Sequence, residues 1–160
     1  MSKKKKTAGA AEARQDSDLL GAYLLLRKAA YRLCSGACQL LLKHELTDHE
    51  YDVLRALRGR PEGMRVLHIA DRLLSKKPAV SVYVDSLEGR GLVFRERSKV
   101  DTRVVRVFIT EAGLALLEEV SGPHGELLRS QFGRLSAEEL AGLRGSLEKL
   151  LGPPGIAGDL

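Results

Sequence analysis

Residues 67–109 read LHIADRLLSKKPAVSVYVDSLEGRGLVFRERSKVDTRVVRVFI. The hydrophobic period changes partway along this stretch. From Leu67 to Leu74, Ile69, Ala70 and Leu73 recur at helical spacing and predict a short helix. After Ser75 and Lys76 a second helix runs from Lys77 to about Gly89. Pro78 is tolerated because it falls in the first turn, where backbone donors have no intrahelical partner. From Leu92 the pattern becomes β-branched and aromatic. Leu92–Arg97 and Val104–Ile109 predict two strands, and the polar segment 98–103 between them makes a hairpin with a charged tip.

Upstream, Thr47-Asp-His-Glu50 has the spacing of a capping box and opens a helix over Asp48–Arg58. Tyr51, Val53, Leu54 and Leu57 form its inward face, and Gly59 and Pro61 end it. Met64–Val66 reads as a short strand. A long helix is expected from Ser17 to His44. It is apolar along two lines, one through Leu20, Leu24, Tyr31, Cys34, Cys38 and Leu41, the other through Tyr23, Leu26, Ala30, Leu33, Ala37 and Leu40. Such a helix asks for burial on more than one side, and a subunit interface supplies it. Downstream, Thr110 caps a helix beginning at Glu111, which Gly122-Pro123 should kink or break. Ser136-Ala-Glu-Glu139 is a second capping box and opens a last helix to about Leu151. The expected organisation is a disordered basic tail (1–16), an N-terminal dimerisation helix (17–46), a central domain (47–110), C-terminal dimerisation helices (111–152) and a tail (153–160).

The bulk properties agree with a soluble helical domain. The chain has 160 residues, 44% hydrophobic, only 4% aromatic and without Trp. Leu, Val and Ala must therefore build the core. No apolar run reaches the roughly 18 residues of a membrane span, no signal-peptide core is present, and two cysteines make no disulfide framework, so a cytoplasmic location is expected. The net charge is +5, and its distribution is informative. Between 72 and 106 stand Arg72, Lys76, Lys77, Arg90, Arg95, Arg97, Lys99, Arg103 and Arg106 against Asp85, Glu88, Glu96 and Asp101. This segment alone carries the whole formal excess, the footprint of a polyanionic partner. A Gly-rich phosphate loop, an HExxH motif and a nucleophile elbow are all missing from the sequence, so neither catalysis nor a cofactor or metal is expected.

Helix, helix, turn, helix and basic hairpin, in that order, describe a mainly α fold with a small β-hairpin wing, the winged helix-turn-helix. In it the second helix of the pair enters the DNA major groove by its N-terminal end. The sequence further resembles the MarR (multiple antibiotic resistance regulator) family over roughly 20–151. The resemblance rests on Leu46-Thr-x-x-x-Tyr51-x-Val-Leu54, His68-Ile-Ala70, Val80-Ser-x-x-Val-Asp-x-Leu87-Glu, Gly91-Leu-Val-x-Arg95, Asp101-x-Arg103, Thr110-Glu-Ala-Gly113 and Leu135-Ser-x-Glu-Glu139. It implies a homodimer on palindromic double-stranded DNA, commonly a repressor relieved by a small ligand or an oxidant.

The DNA-contacting residues expected on this reading are Lys76, Lys77, Pro78, Ala79, Ser81, Arg95, Lys99, Asp101 and Arg103. Lys76 and Lys77 sit where free helix N–H groups meet phosphate, and Pro78 and Ala79 offer apolar atoms to thymine methyls. Ser81 and Arg95 are expected at phosphates, with pairing to Asp101 as an alternative for Arg95. By the resemblance, Arg103 enters the minor groove and Asp101 orients the wing. Val82 stands where relatives often carry arginine, so a guanine contact is lost and readout shifts toward Lys77. Tyr83 is expected in the core. Family analogy also points to an effector pocket near Tyr31, Cys34, Tyr51 and His68. Cys34 and Cys38 read first as small residues buried at a packing seam, with oxidant sensing and half a metal site as alternatives. A protein-interaction module on the same fold remains the alternative function, but the basic segment argues against it.

Overall fold

The computed structural model describes residues 2–97 and 104–152. Its elements, in chain order, are α1 (Ser2–Leu42), α2 (Asp48–Leu57), α3 (Val66–Arg72), α4 (Lys77–Gly89), β1 (Val93–Arg97), β2 (Val105–Ile109), α5 (Glu111–Phe132) and α6 (Ala137–Leu151). The chain divides into two compact units, Met1–Gly36 and Ala37–Leu160, and the boundary falls inside α1.

The core belongs to the second unit. Leu41, Leu46, Val53, Leu54, Leu57, Ile69, Val80, Val84, Leu87, Val93, Val107 and Leu117 are all fully buried there. Most come from α2, α3, α4, the hairpin and α5, so each of these elements turns an apolar face to one shared interior. The hairpin is antiparallel, pairing Val93 with Ile109, Arg95 with Val107 and Arg97 with Val105. Alternation places Val93, Arg95 and Val107 on one face, and Phe94 stacks on Phe108 on the other, with ring centroids 5.1 Å apart.

Both capping boxes form. The Thr47 hydroxyl accepts from the Glu50 amide while the Glu50 side chain takes the Thr47 amide, and Ser136 and Glu139 repeat the exchange at α6. Helix ends are likewise built locally. After α1, α3 and α4 the chain turns through a residue of positive φ, namely Glu45 (54°), Leu74 (49°) and Gly91 (70°). In each case the next amide bonds back five residues: Leu46 to Leu41, Ser75 to Ala70 and Leu92 to Leu87. This is the left-handed C-cap, and two of the three instances use a residue other than glycine.

Three expectations are corrected. The segment 2–16, expected as a disordered tail, continues α1. It is rich in Ala and Lys, and extending an existing helix needs no nucleation. Met64 pairs with Val107 only as an isolated bridge, not within a strand, because α3 begins at Val66. Finally, α5 is one helix through Gly122-Pro123, so of the expected kink or break the break does not occur. Proline removes one intrahelical bond and crowds the preceding turn, at a cost of about 3 kcal/mol. The burial of Leu117 and Val120 just upstream holds the helix in place against that cost.

Candidate nucleic-acid interface

The second unit presents α4 as a helix with a buried and an open side. Val80, Val84 and Leu87 are buried and fix its roll, while Lys77, Pro78, Val82, Asp85 and Ser86 are exposed. Tyr83 is half-buried, packs against the core and meets the His49 ring edge-on at 4.8 Å. At the N-terminus, Lys76 is the N-cap residue and no side chain caps the helix. The first turn therefore keeps the positive end of the helix dipole open beside two lysines. Lys76, Lys77 and Pro78 are exposed there, and Ala79 and Ser81 half-buried. The Ser81 hydroxyl donates back to the Lys77 carbonyl at 3.1 Å.

The cations of this region fall into two groups. Arg90 donates to the carbonyls of Glu45 (2.6 Å) and His44 (3.2 Å), tying the end of α4 to the turn between α1 and α2. Arg106 donates to the carbonyls of Glu62 and Gly63, both at 3.1 Å. Arg95, expected at a phosphate, is engaged inside the chain. Its guanidinium pairs with Glu88 and, at 2.6 Å, with Asp85, and its backbone amide donates to Glu88 at 2.8 Å. Its side chain is only 25% exposed. It shares a strand face with buried Val107 and so points toward α4, where the two carboxylates meet it. Arg95 thus braces the hairpin against α4. In contrast, Arg72, Lys76, Lys77 and Arg97 are exposed and make no ion pair among the described residues. Lys99, Asp101 and Arg103 lie outside the described residues.

The sequence reading did not single out Glu50 beyond its capping role. It is 6% exposed, accepts from the Thr47 amide and hydroxyl at 2.9 Å each, and takes the Ser86 hydroxyl of α4 at 2.5 Å. Burial pushes its carboxyl pKa up. The hydrogen bonds from Ser86 and Thr47 outweigh that, with help from the Arg90 charge, and hold it below its ordinary value. The capping-box spacing signals the first partner. Nothing in the local sequence signals the second.

The four residues expected around an effector are distributed as follows. Tyr31 and Cys34 are exposed on α1 in the first unit. Tyr51 is 4% exposed in the second, its hydroxyl 3.4 Å from His124 Nδ1, and His68 is exposed on α3. Burial, and then the Arg55 charge, hold the His124 pKa below its usual value. A shallow cleft of about 270 Å³ in the second unit is lined by Asp52, Arg55, Ala56, Arg72, Leu73 and Leu74, and by none of those four. The cysteines are exposed rather than buried at a seam, and Cys38 Sγ donates to Asp48 Oδ2 at 2.9 Å. Among the described residues no group of three or more His, Cys, Asp or Glu could hold a metal ion, and no helix is long and apolar enough to cross a membrane.

Comparison with known proteins agrees with this geometry. Residues 44–104 match the family model described as the MarR family. The chain is 34% identical over 96 residues to the transcriptional regulator HosA of Escherichia coli O157:H7, covering 59% of this chain and 70% of HosA. Among solved structures it is similar to the Staphylococcus aureus MepR–DNA complex (TM-score 0.73, 26% identity, 79% of this chain and 93% of that one). It is equally similar to Bordetella bronchiseptica BpsR, whose DNA binding is regulated by 6-hydroxynicotinic acid (TM-score 0.74, 26% identity, 82% and 99%). With an open cationic helix N-terminus on a winged helix-turn-helix and this relationship to HosA, the chain belongs to the MarR family and is a DNA-binding transcription regulator, not an enzyme.

Proposed function

We propose that the protein acts as a cytoplasmic homodimer that binds a two-fold related site on duplex DNA and represses transcription until a small ligand or an oxidant releases it. The observation that carries the reading is the N-terminus of α4, where Lys76 and Lys77 stand exposed, outside any ion pair among the described residues, beside uncapped helix N–H groups. Phosphate seated there gains both the dipole and the lysine charges. Arg97, at the end of β1, with Lys99, Asp101 and Arg103 beyond it, extends the contact along the flanking backbone and minor groove.

The dimer reading is supported by exposed leucines on two helices. On α1, Leu19, Leu20, Tyr23, Leu25 and Leu26 are exposed. On α6 no residue is buried, and Leu140, Leu143, Leu150 and Leu151 are exposed. Apolar surface of that kind marks a protein interface. A two-fold dimer spaces its recognition helices about 34–36 Å apart, one helical turn of DNA. For release, the ligand must bind the DNA-incompetent arrangement more tightly than the competent one. Control by a small ligand is proposed by analogy with BpsR, whose DNA binding is regulated by 6-hydroxynicotinic acid.

The test is fluorescence anisotropy against the chain's own upstream intergenic duplex over a salt series. Tight, sequence-preferring binding that weakens steeply with salt is expected. Equal, feeble binding to any duplex defeats the reading.

A further inference from the structure

We infer that this protein reads its DNA site through the 5-methyl groups of thymine, with Val82 as the specificity-determining residue. The inference rests on the regulator reading above and concerns what the open face of α4 can recognise. Val82 is 63% exposed although it lies in the middle of a helix whose neighbours Val80 and Val84 are fully buried. One turn before it stands exposed Pro78, with half-buried Ala79 beside it. The three form a small apolar patch that immediately follows the open, lysine-flanked helix N-terminus.

The polar side chains around the patch already have partners within the chain. Ser81 donates to the Lys77 carbonyl, Asp85 pairs with Arg95 at 2.6 Å, and Ser86 donates to Glu50 at 2.5 Å. From Lys77 to Gly89 there is no Arg, Asn or Gln, and the one residue able to make a two-point contact to guanine is Lys77, in the first turn beside the open helix end. The lysines and the helix end face phosphate, which fixes orientation but carries no sequence. The groups left to face base edges are aliphatic, and the one aliphatic group in the major groove is the thymine C5 methyl. Burying it against the Val82 methyls removes apolar surface of both from water. The occupant of this face is therefore a thymine-bearing major groove, drawn by the lysines at the same helix end.

The test begins by selecting duplexes from a randomised pool with the full-length protein. In the enriched sequence each thymine is then replaced in turn by uracil, which differs only in lacking the methyl. The expected result is binding about three- to fivefold weaker at one or more positions in each half-site. With Val82→Ala, the uracil penalty at one of those positions should shrink toward unity. The melting temperature should be unchanged, because the side chain is exposed. Val82→Arg should select guanine in place of that thymine. If strong enrichment occurs but uracil is tolerated at every position, thymine readout is overturned while the regulator reading stands. If the penalties persist unchanged in Val82→Ala, the assignment to Val82 is overturned. If nothing is enriched, both readings fall together.

Discussion

The hydroxyl of Ser86 on α4 donates a hydrogen bond of 2.5 Å to the carboxylate of Glu50 on α2, and that carboxylate also caps its own helix at Thr47. One buried charge thereby holds the recognition helix and the start of α2 together. Arg90, the C-cap residue of α4, adds a second tie, from the end of that helix to the carbonyls of His44 and Glu45.

Removing the Glu50 carboxylate leaves the Ser86 hydroxyl and the Thr47 amide without their acceptor. Glu50→Ala should destabilise the fold by about 2–3 kcal/mol, the range for hydrogen bonds to a charged group. Ser86→Ala should cost about 1 kcal/mol. Urea unfolding of both single variants and the double variant checks this. Because the two residues touch, the double variant should lose less than the sum.

The pH dependence follows from the same carboxylate and from His124. Glu50 titrates below its ordinary value of 4.5 in the folded chain. The unfolded chain therefore takes up the proton first, and stability present above 4.5 is lost as pH falls through the folded value. His124 is also held below its ordinary 6.5. Stability from keeping it neutral is complete above 6.5 and declines as pH drops below it. Thermal melts from pH 7 down to about pH 3 should show both declines, and His124→Asn should flatten the upper one alone.

Arg95 and Lys77 should separate by salt dependence. If Lys77 meets a phosphate as proposed, the slope of log affinity against log salt should fall by about 1 in Lys77→Ala. Arg95→Ala removes a brace between β1 and α4 and frees Asp85 and Glu88. It should weaken binding with little change in slope. Arg95→Lys should not restore it, since one ammonium cannot span two carboxylates as a guanidinium does. An unchanged affinity in Arg95→Ala would count against the bracing role.

Gly113, in the first turn of α5, lies against the loop that follows α4. A Cβ there would sit 2.1 Å from the Leu92 carbonyl oxygen and 2.9 Å from the Ile109 side chain. The same carbonyl accepts from the Thr110 amide at 3.1 Å, so it cannot withdraw freely. Gly113→Ala should cost about 1–3 kcal/mol by overpacking, read as a lower melting temperature.

The sequence by itself determined the elements whose signals are local. α4 spans Lys77–Gly89 as its proline and period require, and the Thr47–Glu50 and Ser136–Glu139 boxes open α2 and α6. Capping and periodicity act within a few residues, so they are written in adjacent letters. Tertiary structure decided which polar groups remain available for DNA. Arg95 looked like a phosphate ligand until the hairpin folded onto α4 and brought Glu88 and Asp85 to it. Glu50 acquired Ser86, 36 residues away, only when α2 and α4 packed. Pro123 stayed within α5 because buried residues upstream hold the helix. A charged side chain's partner depends on what packing places within about 3 Å of it, and no local pattern encodes that distance.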